Sequence, residues 1–229
     1  PCARGPWCSV AQTDRSVKNE EQPMARKFGI VDLFAGPGGL AEGFSAAGRE
    51  SATEFDIRLS VEQQPIEVET LRLRAFLRRF ENEFPQAYHD ALNSGGPMPD
   101  WSERHPTEWK IAEAETWRLE LGADGSFELI SEILDKTREK FHGDTILIGG
   151  PPCQAYSLAG RSRNRGKQDY VPEQDARHYL YREYVRILDR LRPAAFVMEN
   201  VKGMISSRVD GGGIFQRVLE DLASAGDGY

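Results

Sequence analysis

Residues 31–44 read VDLFAGPGGLAEGF, an apolar run that closes in a glycine-rich turn and resumes at helical spacing. Phe28–Phe34 is expected as a strand and Ala35–Gly39 as the turn. The helix behind it runs through Leu40, Phe44 and Ala47 until Gly48 stops it. Gly36, Gly38 and Gly39 let the backbone bend sharply and come close to a ligand, and the start of the following helix favours negative or hydrogen-bond-accepting groups. Taken alone, such a turn also serves many α/β proteins as a mere passage from strand to helix.

Outward from this turn, strand-like and helix-like segments alternate, which predicts an α/β fold: a parallel sheet with helices on both faces. Phe55–Val61 is a second strand, closed by Glu62, and a helix starts at Pro65 with Leu73, Phe76, Leu77 and Phe80 at helical spacing. Residues 81–116, rich in proline, glycine, aromatics and charge, break the alternation and are expected as an insertion. Trp117–Leu121 is expected as the third strand, and Phe127, Ile130, Ile133 and Leu134 mark the next helix. Thr145–Ile148 is the fourth strand. Gln174–Leu191 is helical, with Tyr181, Val185, Leu188 and Tyr184 as its inward stripe. Ala195–Met198 is the fifth strand, and Phe215, Val218, Leu219 and Leu222 lie on a final helix.

The bulk composition narrows the function classes without choosing among them. With 229 residues, the chain is long enough for one sizeable core. It has no long apolar run, so no membrane span is expected, and its start lacks the apolar core of a secretory signal. Residues 1–25 are polar and without period, and are expected as a disordered leader, with Met24 as a natural start. Three cysteines suit a reducing compartment. Cys2 and Cys8 lack partners at ligand spacing and the four histidines are scattered, so no metal is expected. The net charge of −7 fits poorly with autonomous nucleic-acid binding, although Arg161, Arg163, Arg165 and Lys167 form a local basic loop.

That basic loop follows residues 149–157, GGPPCQAYS, in which Cys153 stands on a proline-stiffened loop directly after a strand. Each proline fixes φ and lacks an amide hydrogen, so the loop cannot continue the strand and presents Cys153 in one defined shape, as a nucleophile requires. The competing account is a packed small hydrophobe, a common fate of a free cysteine. Glu62 follows the second strand at a spacing that suits recognition of ribose hydroxyls, or serves as a helix-start carboxylate. Glu199, in FVMENVKGM at 196–204, either meets a ligand or braces a neighbouring loop. Parallel strands end at one rim of a sheet, so Glu62, Cys153 and Glu199 are expected beside one crevice.

VDLFAGPGGLAEGF, GGPPCQAYS and FVMENVKGM, in that order, resemble the cytosine-5 DNA methyltransferases over Phe28 to about Asp210. The resemblance implies a Rossmann-like fold of the S-adenosylmethionine-dependent kind. It assigns S-adenosylmethionine binding to Asp32, Phe34, Ala35, Gly36, Gly38, Gly39 and Leu40, together with Glu62 and Pro152. It makes Cys153 the catalytic thiolate and Glu199 the carboxyl that engages cytosine, and it gives Gln154, Ser157, Arg161, Arg163, Asn200 and Arg177 to the substrate. Asp175 matches a further site position, and Asp124 is the candidate for the acidic residue beside adenine. The implied partner is DNA with its target cytosine swung out of the duplex, the setting a bacterial cytoplasm, and the wider context restriction-modification.

In that family, further strands and a target-recognition domain follow the Glu-Asn-Val string. Residues 26–229 are therefore expected as an incomplete catalytic domain, active when completed by a C-terminal part or by a second polypeptide. A non-catalytic cofactor-binding remnant and a tRNA cytosine-5 methyltransferase are the alternatives.

Overall fold

The computed structural model describes residues 26–80, 83–152, 180–199, 208–209 and 212–225. Five parallel strands form one sheet in the order β3-β2-β1-β4-β5: β1 is Arg26–Leu33, β2 Thr53–Glu62, β3 Thr116–Arg118, β4 Thr145–Gly149 and β5 Ala195–Met198. This is the expected α/β architecture, Rossmann-like in its strand order, with the order reversing at β1. The helices are α1 (Gly39–Arg49), α2 (Pro65–Leu77), α3 (Gln86–Ser94), α4 (Trp101–Arg104), α5 (Pro106–Glu115), α6 (Ser126–Lys140), α7 (Leu180–Leu191) and α8 (Ile214–Ser224). Two short antiparallel strands, β6 (Arg208–Val209) and β7 (Gly212–Gly213), precede α8. None of the described helices is long and apolar enough to cross a membrane.

Both faces of the sheet are covered, which is why its central strands read as nearly continuous apolar runs. Val31, Leu33, Leu59, Val61 and Leu147 pack with α6, α7 and α8, while Ile30, Ile57, Ile146 and Ile148 pack with α1 on the other face. β2 keeps this division through a bulge. Ile30 pairs with Ile57 but Val31 pairs with Leu59, so Arg58 is an extra residue and the side chains on either side of it serve opposite cores. A third cluster joins Ala75, Phe76 and Leu77 of α2 to Trp101 and Ala112, so α4 and α5, within residues 81–116, pack on α2.

The sheet strands β1, β2 and β4 extend a residue or two beyond the bounds read in the sequence, and three further differences have a physical reason. β1 ends at Leu33, because Phe34 turns at φ 54 and begins the glycine loop. β3 is Thr116–Arg118, and Leu119–Leu121 leave the sheet once the Leu119 amide has donated to the Glu62 carbonyl at 3.0 Å. On α7 the buried stripe is Tyr181, Tyr184, Ile187, Leu188 and Leu191, with Val185 only half-buried. The helix repeat carries the stripe to Ile187 and Leu191 and leaves Val185 at its edge. Residues 174–179 of the expected helix lie outside the described residues.

Candidate active site

The strands β1, β2, β4 and β5 all run in one direction, so their carboxyl ends meet at one rim. The loop after β1 is held there from three sides. The Ala35 amide donates to the Val61 carbonyl at 3.0 Å, and the Gly38 amide donates to the Ala35 carbonyl at 2.9 Å. From α2, Arg74 donates to the Pro37 carbonyl at 2.9 Å. Gly38 adopts φ 87, and a Cβ there would lie 2.7 Å from Leu71 Cδ1, so both its backbone and its surroundings require glycine.

Glu62 is the clamp of this turn. One carboxylate oxygen accepts the Gly36 amide at 3.0 Å, and the other accepts the Gln63 and Gln64 amides at 2.8 Å each. Three backbone donors at the end of β1 and the start of α2 are thereby satisfied by one charge, an arrangement stronger than neutral pairing. A cleft of about 210 Å³ opens beside it. Its polar side carries Gly36, Glu62 and Glu67, and its apolar wall is built from Leu119, Leu121 and Leu180.

Of the residues expected at a cofactor, Phe34, Gly36, Glu62 and Pro152 line this cleft, whereas Ala35 and Gly38 shape the turn, Gly39 and Leu40 open α1, and Asp32 is buried in β1. Asp124 is not among the lining residues. The leucines at 119 and 121 went unread in the sequence because they resembled the end of a strand. Their signal was position, directly after β3 and opposite the glycine turn. A larger cavity, about 1020 Å³, lies between α1, α2 and α3, away from every expected site residue except through its helices.

Glu199 follows β5 and its amide donates to the Gly149 carbonyl at 2.9 Å, which ties the end of β5 to the loop leaving β4. Pro152, the residue before Cys153 in the chain, lines the cleft itself. Cys153, Gln154, Ser157, Arg161, Arg163, Arg177 and Asn200 lie outside the described residues, as do Asp175 and the rest of the string after Glu199. Among the described residues, no three histidine, cysteine or carboxylate side chains gather in a way that could hold a metal ion.

A sequence model of the C-5 cytosine-specific DNA methylases matches residues 107–229. The chain belongs to that family. The type II methyltransferase M.Bpa9945I of Bacillus paralicheniformis is 32% identical over 214 residues, 86% of this chain and 45% of that protein. M.BspRI of Lysinibacillus sphaericus is 27% identical over 219 residues, 95% of this chain and 43% of its own length. M.FnuDI of Fusobacterium nucleatum reaches 44% identity over 79 residues, 34% of this chain and 20% of the relative. The chain thus spans less than half the length of these type II methyltransferases. A second polypeptide finds no support in these comparisons.

One residue of this methylase chain has an unusual electrostatic setting. Asp32, at the end of β1, is fully buried, and among the described residues neither carboxylate oxygen receives a well-formed hydrogen bond. Burial pushes its carboxyl up to about 7, against the attraction of Arg78 and of the Ala41 amide at the start of α1. Below the ordinary aspartate range, folded and unfolded chains both hold the proton. Between there and about 7 the folded chain keeps a proton that the unfolded chain releases, so stability falls as pH rises through this window and levels off above it. The slope at its steepest is about 1.4 kcal/mol per pH unit. Asp32→Asn should flatten this decline, seen as a smaller difference between urea midpoints at pH 5 and pH 8 than in the wild type. Equal differences in both proteins would show that Asp32 ionises freely.

Proposed function

We propose that this methylase transfers a methyl group from S-adenosylmethionine to carbon 5 of cytosine in DNA, through a covalent adduct with Cys153. The observation that supports it most is the convergence of the glycine turn, Glu62 and Glu199 on one rim, next to the loop that leads to Cys153.

The cleft suits the methyl donor on its own geometry. Glu62 offers carboxylate oxygens for ribose hydroxyls beside a turn held open by glycines, and Leu119, Leu121 and Leu180 supply an apolar wall for a purine ring. The bound donor supplies an electrophilic methyl group on a sulfonium. The remaining chemistry falls to the protein. Cytosine carbon 5 is a poor nucleophile, so the Cys153 thiolate adds to carbon 6 and makes the ring an enamine. Glu199 hydrogen-bonds or protonates nitrogen 3, which stabilises that enamine. After carbon 5 takes the methyl group, with the sulfur–methyl bond broken and a neutral thioether left behind, the carbon 5 proton passes to solvent water and the Cys153 thiolate is eliminated, which releases 5-methylcytosine. The base edge is out of reach inside a duplex, so the nucleotide must be flipped out, with Ser157, Arg161 and Arg163 closing over phosphates.

The test is methyl transfer from labelled S-adenosylmethionine by the full-length protein to DNA and, in parallel, to tRNA, together with trapping on 5-fluorocytosine in each. Label on DNA and a denaturant-stable DNA adduct are expected. Label on tRNA alone would move the substrate to RNA, and no label on either would reject the reading.

Glu62→Gln gives a separate check on the cofactor cleft. The amide cannot present two anionic oxygens to the Gly36, Gln63 and Gln64 donors, so the turn loses charge-assisted bonds as well as the ribose acceptor. Affinity for S-adenosylmethionine should fall by about 30-fold, corresponding to about 2 kcal/mol. Isothermal titration measures it, and a change under about threefold would place the ribose elsewhere.

A further inference from the structure

Gly149 and Gly150 stand side by side at the end of β4, and they are glycines for different reasons. A Cβ on Gly149 would lie 2.3 Å from the Leu33 carbonyl oxygen, a backbone atom of the adjoining strand, so a side chain there requires β1 and β4 to part. Gly150 does not adopt the left-handed backbone that favours glycine. The nearest atom to a Cβ built on it is Glu199 Oε2, at 2.7 Å, followed by the Glu199 carbonyl oxygen at 3.6 Å. An alanine at 150 is therefore acceptable to the backbone and, among the described residues, comes too close only to the free end of the Glu199 side chain, at the edge of the cleft that Gly150 itself lines.

From this we infer that Gly150 is a positioning residue for the Glu199 carboxyl. Its missing side chain is the space into which that carboxyl folds, against the turn between β4 and the Pro-Pro-Cys loop. The amide of Glu199 is already fixed to Gly149, so the backbones at the ends of β4 and β5 are in register. What remains adjustable is the carboxyl end, and Gly150 sets where it rests. The inference uses the proposed role of Glu199 toward the base and adds the residue that places it. Because the obstacle is a flexible side-chain end rather than backbone, substitution at 150 should displace the carboxyl at little cost to the fold.

A double-mutant cycle in the full-length protein tests this, with Gly150→Ala, Glu199→Asp and the pair combined, read by turnover, affinity for S-adenosylmethionine, thermal melting and a crystal structure of Gly150→Ala. Melting should stay near wild type in Gly150→Ala, and because Gly150 also lines the proposed cofactor cleft, turnover is read at saturating S-adenosylmethionine, where kcat should fall by about tenfold to a hundredfold, as for a misplacement of about 1 Å. Glu199→Asp draws the carboxyl back by one methylene, and in that background the alanine should cost less than about threefold, because the two residues are coupled. An equal cost in both backgrounds, or an unmoved Glu199 carboxyl in the crystal structure of Gly150→Ala, would overturn the inference. If the wild-type protein transfers no methyl group, the proposed role of Glu199 fails, and the crystal structure still decides whether Gly150 places it.

Discussion

Cys153→Ala should abolish methyl transfer while leaving the affinity for S-adenosylmethionine nearly unchanged. Removing a covalent nucleophile costs on the order of 10⁴-fold or more when no other group can take its place. Cytosine offers no alternative route, because carbon 5 attacks the methyl group only after a nucleophile has added at carbon 6. The proposed cofactor cleft, in contrast, is assembled mostly from other parts of the chain, the turn after β1, Glu62 at the end of β2 and the leucines after β3, with Gly150 and Pro152 forming one edge. The variant should therefore bind the cofactor within about twofold of wild type. Transfer assays and isothermal titration separate the two effects. Substantial residual transfer would favour the packed, inert cysteine, and loss of cofactor binding would mean that the loop supports the cleft rather than the chemistry.

The second large effect is structural and falls on Arg78, just after α2. Its side chain is 8% exposed and bridges Glu42 of α1 to Glu115 of α5, while Arg79 donates to the other Glu115 oxygen at 2.5 Å. Glu115 is itself 4% exposed, and burial raises its pKa against the pull of both arginines. Arg78→Met removes the cation and leaves two carboxylates short of a partner, with a third, Asp32, deprived of its main electrostatic support. Breaking a buried pair from one side costs about 3–5 kcal/mol, because the abandoned charge stays buried. Urea unfolding should show a loss of that size, and Glu115→Gln added to Arg78→Met should recover part of it. A cost below about 1 kcal/mol would reduce the cluster to a surface ion pair. Since Arg74 and Arg78 both reach from the α2 side to the glycine turn and α1, a loosened α2 should also weaken cofactor binding.

These two experiments concern residues of very different legibility. Cys153 stood out in the sequence because two prolines and a preceding strand leave a cysteine little else to do, and Glu62 stood out through its place at the end of β2. Arg78 gave no such signal. In sequence it is one of two adjacent arginines at the end of an amphipathic helix, where a solvated charge is the ordinary outcome, and its burial depends on α5 lying across α2. Leu119 and Leu121 were misread for a related reason. Alternating apolar residues after Trp117 look like a strand, but β2 offers pairing only from Ser60 to Glu62, so the chain leaves the sheet and its leucines become a cleft wall. Gly150 was quoted within its string, yet only the approach of Glu199 explains why it lacks a side chain.

The alternation of the five sheet strands with the helices outside residues 81–116, and the glycine turn, were contained in the order of residues, because periodicity and turn chemistry act over a few positions along the chain. Which ends share a rim, which arginine is buried and which glycine makes room for a carboxyl depended on the strand order β3-β2-β1-β4-β5 and on α5 docking against α2. Those outcomes join residues dozens of positions apart. They are settled by burial and pairing summed over the whole chain, and no local stretch carries that sum.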